Sequence, residues 1–440
     1  MQKQRQTTNP NLKFSSKRIL AYMDWNSPTG FGNVSKNIID RILPFCLENK
    51  VIIDICAINY RGESNIKYKE CVNIFNAKDY AKDTKDTYLN RTGFLTLLSL
   101  RPYDVVWMMN DVNVITPLLP TIKQLKQRQK NITKKGFKTI LYTPIDSPPD
   151  KNWFEGINDI DELITYTNYG VEQIEKVFKF KKPIQIIPHG LDTENFKPIA
   201  KDGLRKKYGI PEDCMVIGTV NKNQPRKDLG CTLIAFAQFK RWVGRDWTTR
   251  VSDLESLENN YSAGKRAVLY LHTYHNDPSG INIHEVANRL GLVFNQDYFL
   301  PIEPQYSNAE LTPSDLNEVY NCFDIFVSTT SAEGWGLTIT EAMSVGLPLM
   351  CGVHTSLKEL TQNGTNMYPL FKYHEHIQIH DGNAVRYCLD PVEVAQGFHM
   401  LFMEYCVQGG FSTHEYTYQK KKFNWDKIAL SWVKILSKHL

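Results

Sequence analysis

The sequence predicts an α/β fold with two doubly wound, mostly parallel sheets. Three observations lead to this prediction. Short apolar runs with strand character alternate with stretches long enough for helical crossovers, as expected of a parallel sheet. A second series of the same kind follows the first along the chain. The length of 440 residues is too great for one ordinary core and favours two domains of roughly 200 residues each.

The first series of strands occupies the N-terminal part of the chain. We expect residues 1–16 to form a flexible polar tail, which is followed by the apolar run Arg18–Met23, the glycine loop Pro28–Asn33 and an amphipathic helix. Further strands are predicted at Val51–Ile58, Asp104–Met109, Thr139–Thr143, Glu162–Tyr166 and Ile184–Ile187. These elements predict an N-terminal domain over residues 17–200.

The second series begins after a turn-rich link near residues 195–205. Strands are predicted at Met215–Val220, Ala267–His272, Asp324–Ser328 and Pro348–Cys351. They predict a C-terminal domain over residues 201–415. Because ligands bind beyond the carboxyl ends of the strands in such sheets, we expect the site to lie in a cleft between two facing domains.

The segment Ser331–Pro348 combines two carboxylates with a glycine turn. Glu333 and Glu341 lie eight residues apart, and a helix is predicted to begin near Leu337 or Thr338. The first backbone N–H groups of such a helix attract phosphate, and Glu341, about one turn in, is placed to accept hydrogen bonds from ribose hydroxyls. The segment therefore predicts a sugar-nucleotide site. A capped helix with two solvated glutamates is the alternative.

Composition and charge argue against a disordered chain and against nucleic-acid binding. The chain is 42% hydrophobic and 22% charged, which predicts a folded protein. The formal net charge of +5 is too small and too diffuse to indicate nucleic-acid binding. The segment Thr121–Lys138, with seven basic residues and no acidic one, is locally cationic. We interpret it as a solvated surface helix, with contact to an anionic membrane face or acceptor as the alternative.

Cysteine usage and apolar runs bear on location. The nine cysteines form no CxxC pair and are odd in number, which disfavours a zinc site or a disulfide framework and favours reduced thiols. No apolar run approaches the ~20 residues that span a bilayer, and Met1–Asn11 lacks the apolar core of a signal peptide. We therefore expect a cytoplasmic protein, with peripheral membrane contact and homodimer formation left open.

The run EGWGLTITEAMSVGLP, from Glu333 to Pro348, resembles the EGFGLxxxEAMAxGxP signature of the retaining glycosyltransferases of family 4. The resemblance covers most of the chain and implies the GT-B architecture, in which two Rossmann-like domains face each other across a cleft. It implies that residues 17–200 form the acceptor side and residues 201–415 the nucleotide-sugar donor side. It implies that Glu333 holds sugar hydroxyls and Glu341 the ribose. The donor would also be bound along the loop and helix start, at Gly334, Trp335, Gly336, Leu337 and Thr338. The chain is also similar to members encoded by large algal viruses, which would place it in host-cell cytoplasm.

The segment Gly218–Asp228 is similar to the family segment in which an arginine and a later lysine clamp the donor diphosphate. Lys227 matches the lysine, whereas Asn221 stands where the arginine is commonly found. Either Arg226 or Lys222 is available to supply the missing charge. The chemistry requires fixed cations because a leaving nucleoside diphosphate develops negative charge as the glycosidic bond breaks.

Two further segments resemble family features nearer the N-terminus. Ile187–Asp192 is similar to the interdomain linker segment, and His189 within it is a candidate donor-binding residue, with a histidine that holds the linker as the alternative. Gly30 and Gly32 resemble the glycine loop of the N-terminal domain. In this family that loop faces the donor phosphates or the acceptor.

Three other positions complete the comparison with the family. Asp146 follows a predicted strand where the family often carries a histidine, and a carboxylate there could orient an acceptor hydroxyl or stabilise positive charge on the sugar. An aspartate that starts a proline-rich turn is the alternative. We interpret His272, at the end of a strand, as structural. Phe423–Ala429 resembles the closing segment of the family, which implies that residues 416–440 cross back to the N-terminal domain.

The resemblance implies a retaining hexosyltransferase that moves a sugar from a nucleoside diphosphate sugar, with GDP-mannose preferred, to a hydroxyl on a glycan, lipid or glycoprotein. No aspartate-rich metal motif is evident, so we expect a metal-independent reaction without a cofactor. The alternatives are a sugar-nucleotide epimerase or hydrolase of the same fold and a non-catalytic binding module. A dinucleotide oxidoreductase is disfavoured because no strand is followed by GxGxxG with an acidic residue about 20 positions later.

Overall fold

The computed structural model describes residues 17–62, 69–81, 86, 89–249, 266–275, 277–301, 311–365, 367–379 and 383–440. The predicted tail, residues 1–16, lies outside these residues. The chain divides into two units. The first comprises residues up to His189 together with Trp425–Leu440, and the second is Gly190–Asn424.

A seven-stranded parallel sheet organises the first unit. Its strand order is β3-β2-β1-β4-β5-β6-β7. Residues of β1, β2 and β4 are almost all buried, as expected where helices cover both faces of a parallel sheet. The strands are β1 (Lys17–Asp24), β2 (Val51–Ile58), β3 (Val72–Asn76), β4 (Val105–Met109), β5 (Lys138–Tyr142), β6 (Glu162–Thr165) and β7 (Gln185–Ile186).

The helices of the first unit follow the strands of this sheet. They are α1 (Gly30–Glu48), α2 (Arg91–Leu100), α3 (Val112–Ile115), α4 (Leu119–Thr133) and α5 (Asn168–Val177). The cationic segment falls largely on α4, where Ile122 is buried but Ile132 is 71% exposed. Lys123 pairs with Asp159 at 3.0 Å and Lys126 with Asp161 at 2.7 Å. Carboxylates of the same unit therefore neutralise part of its charge.

A six-stranded parallel sheet organises the second unit, with the order β10-β9-β8-β11-β12-β13. The strands are β8 (Cys214–Val220), β9 (Arg266–His272), β10 (Tyr298–Phe299), β11 (Ile325–Ser328), β12 (Leu349–Gly352) and β13 (Tyr368–Leu370). The helices are α6 (Leu204–Lys207), α7 (Leu229–Thr249), α8 (Ile283–Arg289), α9 (Pro313–Asn321), α10 (Leu337–Val345), α11 (Leu357–Leu360), α12 (Pro391–Gln408) and α13 (Thr417–Lys422). The two parallel sheets confirm the predicted fold class.

An antiparallel hairpin interrupts the alternation of the second unit, and the sequence patterns did not predict it. It pairs β14 (Tyr373–Gln378) with β15 (Ala384–Leu389) and stands between β13 and α12. Residues Tyr373–Ile377 of β14 are exposed, so this strand lacks the buried apolar run by which the other strands were recognised. The strands β3, β10 and β13, which contain five, two and three residues, were also not predicted.

The last helix of the chain, α14 (Trp425–His439), belongs to the first unit. Trp432 is fully buried there, with its ring centroid 4.4 Å from that of Trp107 on β4 and 4.8 Å from that of Tyr142 on β5. After His189 the chain enters the second unit, where the backbone N–H groups of Lys197 and Ile199 donate to side chains of α9. Residues 197 and 199, in the predicted link, therefore belong to the second unit, which begins at Gly190.

Candidate functional site

The order of the second sheet creates a switch point between β8 and β11. In sequence order within this unit, the strands run 3-2-1-4-5-6, the arrangement of dinucleotide-binding sheets. The chain leaves β8 towards one edge and returns at β11 beside it, so the loops after these two strands diverge and open a crevice at their carboxyl ends. The segments that follow β8 and β11 contain Arg226, Lys227 and Glu333.

These three side chains form an ion cluster in which Glu333 is buried and Arg226 and Lys227 are half-buried. Lys227 Nζ pairs with Oε1 of Glu333, and Arg226 Nη1 lies 3.1 Å from Oε2. Arg226 also donates to the carbonyl of Ala332 at 2.6 Å, and the Thr330 hydroxyl donates to Oε1 of Glu333 at 3.1 Å. The cluster therefore ties the loop after β8 to the loop after β11.

The Glu333 carboxylate remains charged in this environment. Burial by itself raises the pKa of Glu333, but the charges of Lys227 and Arg226 outweigh it and lower the pKa to about 2. The backbone is also fixed, because the Ser356 hydroxyl donates to the Glu333 carbonyl at 2.6 Å and the Glu333 N–H donates to Thr355 Oγ1 at 3.3 Å. The carboxylate is thus a fixed anion beside two cations.

Helix α10 begins at Leu337, one of the two predicted starting positions, and left-handed glycines flank it. Gly336 precedes it with φ of 104° and Gly346 follows it with φ of 82°. No side chain caps its N-terminus, and the Gly336 carbonyl accepts the N–H groups of Ile339 and Thr340. The preceding N–H groups of the first turn have no partner within the helix, so the helix start suits an anionic group.

Glu341 lies in the second turn of α10 in surroundings opposite to those of Glu333. The Tyr320 hydroxyl of α9 donates to its Oε2 at 2.7 Å. Burial raises the pKa of Glu341 to about 7, the Tyr320 hydrogen bond opposes the rise, and the charge of Asp192 adds to it. The two glutamates of the motif thus differ in charge near neutral pH.

The position where the family arginine was expected holds no cation. Asn221 is buried at the end of β8, where its side-chain amide donates to Thr219 Oγ1 at 2.9 Å. Lys222 is 60% exposed and lies 3.7 Å from Asp277, on the loop after β9. Of the two residues available to replace the arginine, Arg226 is therefore the one beside Lys227 and Glu333.

The remaining loop residues of the motif are buried. Gly334 and Gly336 lie in the turn, and the ring of Trp335 packs edge-on against Phe423 at 4.9 Å. Leu337 and Thr338, at the start of α10, are half-buried. The Thr338 carbonyl accepts the Tyr320 hydroxyl at 3.2 Å, so α9 holds the helix start as well as Glu341.

The other predicted site residues lie in the first unit. Gly30 and Gly32 form the first turn of α1, capped by Thr29, and a Cβ on Gly32 would lie 2.4 Å from the Ser27 carbonyl. Asp146 is half-buried in the loop after β5. His189 is buried with its ring centroid 4.1 Å from that of Tyr166, and burial lowers its pKa to about 3. This histidine is part of an aromatic cluster.

Solved structures with the same arrangement of strands and helices identify the fold. Sucrose-phosphate synthase from Thermosynechococcus elongatus matches with a TM-score of 0.65 and 13% identity, over 96% of this chain and 98% of that one. HepE from Anabaena, solved in complex with UDP, matches with a TM-score of 0.58 and 13% identity, over 96% and 100%. The chain has the GT-B fold.

Sequence comparison finds a family match that includes α10 of this GT-B chain. The family model described as glycosyl transferases group 1 matches residues 305–378, which include α10. A D-inositol 3-phosphate glycosyltransferase from Stackebrandtia nassauensis is 23% identical over 215 residues, which cover 47% of this chain and 42% of that protein. The chain spans less than half the length of the curated relatives it matches.

Sequence reasoning missed several residues that shape this site. Tyr320, Thr330 and Ser356 bond to the two glutamates or to their backbone, and Asp192 acts on Glu341 through its charge. Asp192 was noticed only as part of the linker motif. Nothing in the sequence pattern links these residues to the glutamates, because their contacts arise only when strands and helices distant in sequence are brought together.

Among the described residues, no helix has the length and apolar character needed to cross a membrane. No group of three or more His, Cys, Asp or Glu side chains in those residues is arranged to hold a metal ion.

Proposed function

We propose that this protein is a retaining glycosyltransferase of family 4, which transfers a sugar from a nucleoside diphosphate sugar to a hydroxyl group of an acceptor. The single observation that carries the proposal is the convergence of Lys227 and Arg226 on Glu333 at the switch point of a Rossmann-type sheet. Two fixed cations beside a fixed carboxylate, next to an uncapped helix start, match the charges of a sugar attached to a diphosphate.

The two cations act on the leaving group. As the bond between sugar and diphosphate breaks, negative charge builds up on the leaving oxygen, and positive charge builds up on the sugar ring. Lys227 and Arg226 stabilise the first charge, and their fixed positions avoid the reorganisation that water would require. With Arg226 in this role, no cation is needed at the position of Asn221. We propose that the reaction needs neither a metal ion nor another cofactor.

The carboxylates position the donor on either side of the phosphates. Glu333 is assigned to the sugar hydroxyls and Glu341 to the ribose hydroxyls, with backbone N–H groups at the start of α10 directed at the phosphates. In the retaining route the departing phosphate helps to deprotonate the attacking hydroxyl on the same face of the sugar. Asp146 is our candidate for orienting that hydroxyl.

The donor and the acceptor are finer parts of the proposal. GDP-mannose is the preferred donor from the sequence resemblance, and UDP-sugars form the second arm of a donor screen because the HepE structure contains UDP. The acceptor is proposed to be a hydroxyl of a glycan, lipid or glycoprotein. A donor incubated alone should remain largely intact, whereas complete conversion to free sugar or to an isomer would favour the hydrolase or epimerase alternative.

Calorimetry with nucleoside diphosphates and their sugars tests the proposal. We expect Lys227→Ala to weaken donor binding about tenfold or more, because a hydrogen bond to a charged group typically contributes about 1.5–3 kcal/mol. Lys240→Ala is the matched control, since Lys240 also forms an ion pair in the second unit, with Asp297 at 2.7 Å, but away from the cluster. Wild-type affinity in both Lys227→Ala and Glu341→Ala would contradict the proposed site.

A further inference from the structure

Four buried polar side chains lie at the carboxyl ends of three adjacent strands, next to the ion cluster. Val220 of β8 is in register with His272 of β9, and Phe326 of β11 is in register with Gly218 of β8. Two residues further along, Ser328 therefore lies beside Val220. Register partners in a parallel sheet point to the same face, so His272 and Ser328 flank Val220 in one row.

The polar atoms in this region lack partners. His272 is fully buried, and neither ring nitrogen has a hydrogen-bond partner among the described residues. The same holds for the hydroxyl of Ser328 and, one position further along the neighbouring strands, for Asn221 Oδ1 and Thr273 Oγ1. Buried polar atoms are nearly always paired, because an unpaired one costs roughly 1–3 kcal/mol. Because His272 and Ser328 share one row and face, the two together indicate that a ligand supplies their partners.

A comparison with another histidine of the second unit shows that a structural role looks different. His284 Nδ1 lies 2.7 Å from the Tyr298 hydroxyl, so that ring is held by a hydrogen bond. The ring of His272 instead stacks on Tyr270 at 6.2 Å. Its nitrogens are not used in packing and remain available.

The row of strand ends leads to the ion cluster. Ser328 is in register with Cys351 of β12. Thr330, two residues beyond Ser328, donates its hydroxyl to Oε1 of Glu333 at 3.1 Å, so the ion cluster lies beside the Ser328 end of the row. Neighbouring strands lie about 4.8 Å apart, so His272 on β9 is roughly 10 Å from Ser328 on β11, on the side of the row away from Glu333.

We propose that His272 and Ser328 bind the nucleoside diphosphate part of the donor through uncharged hydrogen bonds. The inference rests on the proposed function and adds residues that the family motifs do not contain. A neutral imidazole offers one N–H donor and one acceptor, and a serine hydroxyl offers both, so the pair can bond to ribose hydroxyls and phosphate oxygens. Charge neutralisation stays with Lys227 and Arg226.

The protonation state of His272 agrees with this role. Burial lowers the pKa of His272 to about 3, so the ring stays neutral from pH 5 to pH 9. The contribution of His272 to binding should therefore be constant over this range.

Replacement by side chains without polar atoms separates a binding role from a structural one. In His272→Phe and Ser328→Ala, the unpaired atoms of the free protein disappear, so we expect its melting temperature to stay constant or rise. The affinity for UDP or GDP, whichever the wild type binds, should fall about tenfold in His272→Phe and severalfold in Ser328→Ala, equally at pH 6 and pH 8. His399→Phe, a half-buried histidine on α12, is the control and should bind as the wild type does.

The outcomes distinguish this inference from the proposed function. If the wild type binds neither UDP nor GDP, the proposed function fails, and the inference fails with it. If the wild type binds and Lys227→Ala weakens binding, but both variants of the row retain wild-type affinity, only the inference is overturned. A lowered melting temperature of His272→Phe with unchanged affinity would show that His272 is structural.

Discussion

At the scale of single residues, the two glutamates of one motif acquire opposite properties from their neighbours. Glu333 has two cations beside it and a pKa of about 2, whereas Glu341 is buried next to a tyrosine hydroxyl and has a pKa of about 7. Their side chains are chemically identical, so the difference comes from the strands and helices that surround them. The sequence motif shows the spacing of the pair but not this difference.

The raised pKa of Glu341 predicts a pH-dependent gain in stability for Glu341→Gln. Between the ordinary carboxyl pKa near 4.5 and about 7, the folded protein binds a proton that the unfolded chain has lost. Wild-type stability therefore falls as the pH rises through this range. Glutamine has no such cost, so the variant should be more stable by about 2–3 kcal/mol at pH 8 and nearly equal at pH 5.

Denaturant unfolding at both pH values measures this difference. Glu285→Gln is a suitable control, because Glu285 is 53% exposed on α8 and should show no comparable pH-dependent gain. The gain in Glu341→Gln should be accompanied by weaker nucleotide binding, since an amide replaces the carboxylate assigned to the ribose. Equal stability of the variant and the wild type at pH 8 would contradict the raised pKa.

At the scale of elements, helix α10 is defined by glycines with left-handed backbone at both ends. The predicted helix start and stop agree with the structure because these signals are local: the glycines at both ends tolerate positive φ, and the segment between them is rich in helix formers. The hairpin β14–β15 was not predicted because its exposed strand has no buried face to impose a pattern.

Gly336→Ala tests whether the start of α10 serves the ligand. Alanine at a φ of 104° should cost about 1–2 kcal/mol, and its Cβ would lie 3.1 Å from Leu357, which displaces the helix start. We expect a lower melting temperature and a severalfold loss of nucleotide affinity. Gly203→Ala is the matched control, because its φ is 71° but a Cβ there meets nothing within 4 Å. It should lose stability without losing affinity. If both variants bind the nucleotide with equal affinity, the start of α10 does not take part in binding.

At the scale of the whole molecule, helix α14 packs on a sheet whose strands all come from the N-terminal part of the chain. Helix α14 buries Trp432 against Trp107 of β4 and Tyr142 of β5, and Asp426 lies 3.0 Å from Arg41 of α1. The first unit therefore cannot reach its full core until the end of the chain has been made. Its stability depends on residues that follow the entire second unit.

Trp432→Ala should destabilise the first unit by about 3–5 kcal/mol, the usual cost of removing a large aromatic side chain from a core. Hydrogen exchange should speed up in β4 and β5 while β8 and β9 keep wild-type protection, because the lost contacts belong to the first unit. Leu430→Ala, on the same helix and 68% exposed, should leave both units unchanged. Loss of protection in β8 and β9 to the same extent would contradict the assignment of α14 to the first unit.

The sequence by itself determined the α/β class, most long strands, the limits of α10 and the identity of Glu333, Glu341 and Lys227 as candidates. These follow from hydrophobic period, glycine positions and a short motif, all of which act between neighbours in the chain. Only the tertiary structure decided that Arg226 rather than Lys222 lies beside Lys227, that His189 is packed among aromatic rings, and that His272 and Ser328 share a row. Burial, ion pairing and strand register arise between residues far apart in sequence, so local sequence patterns do not predict them.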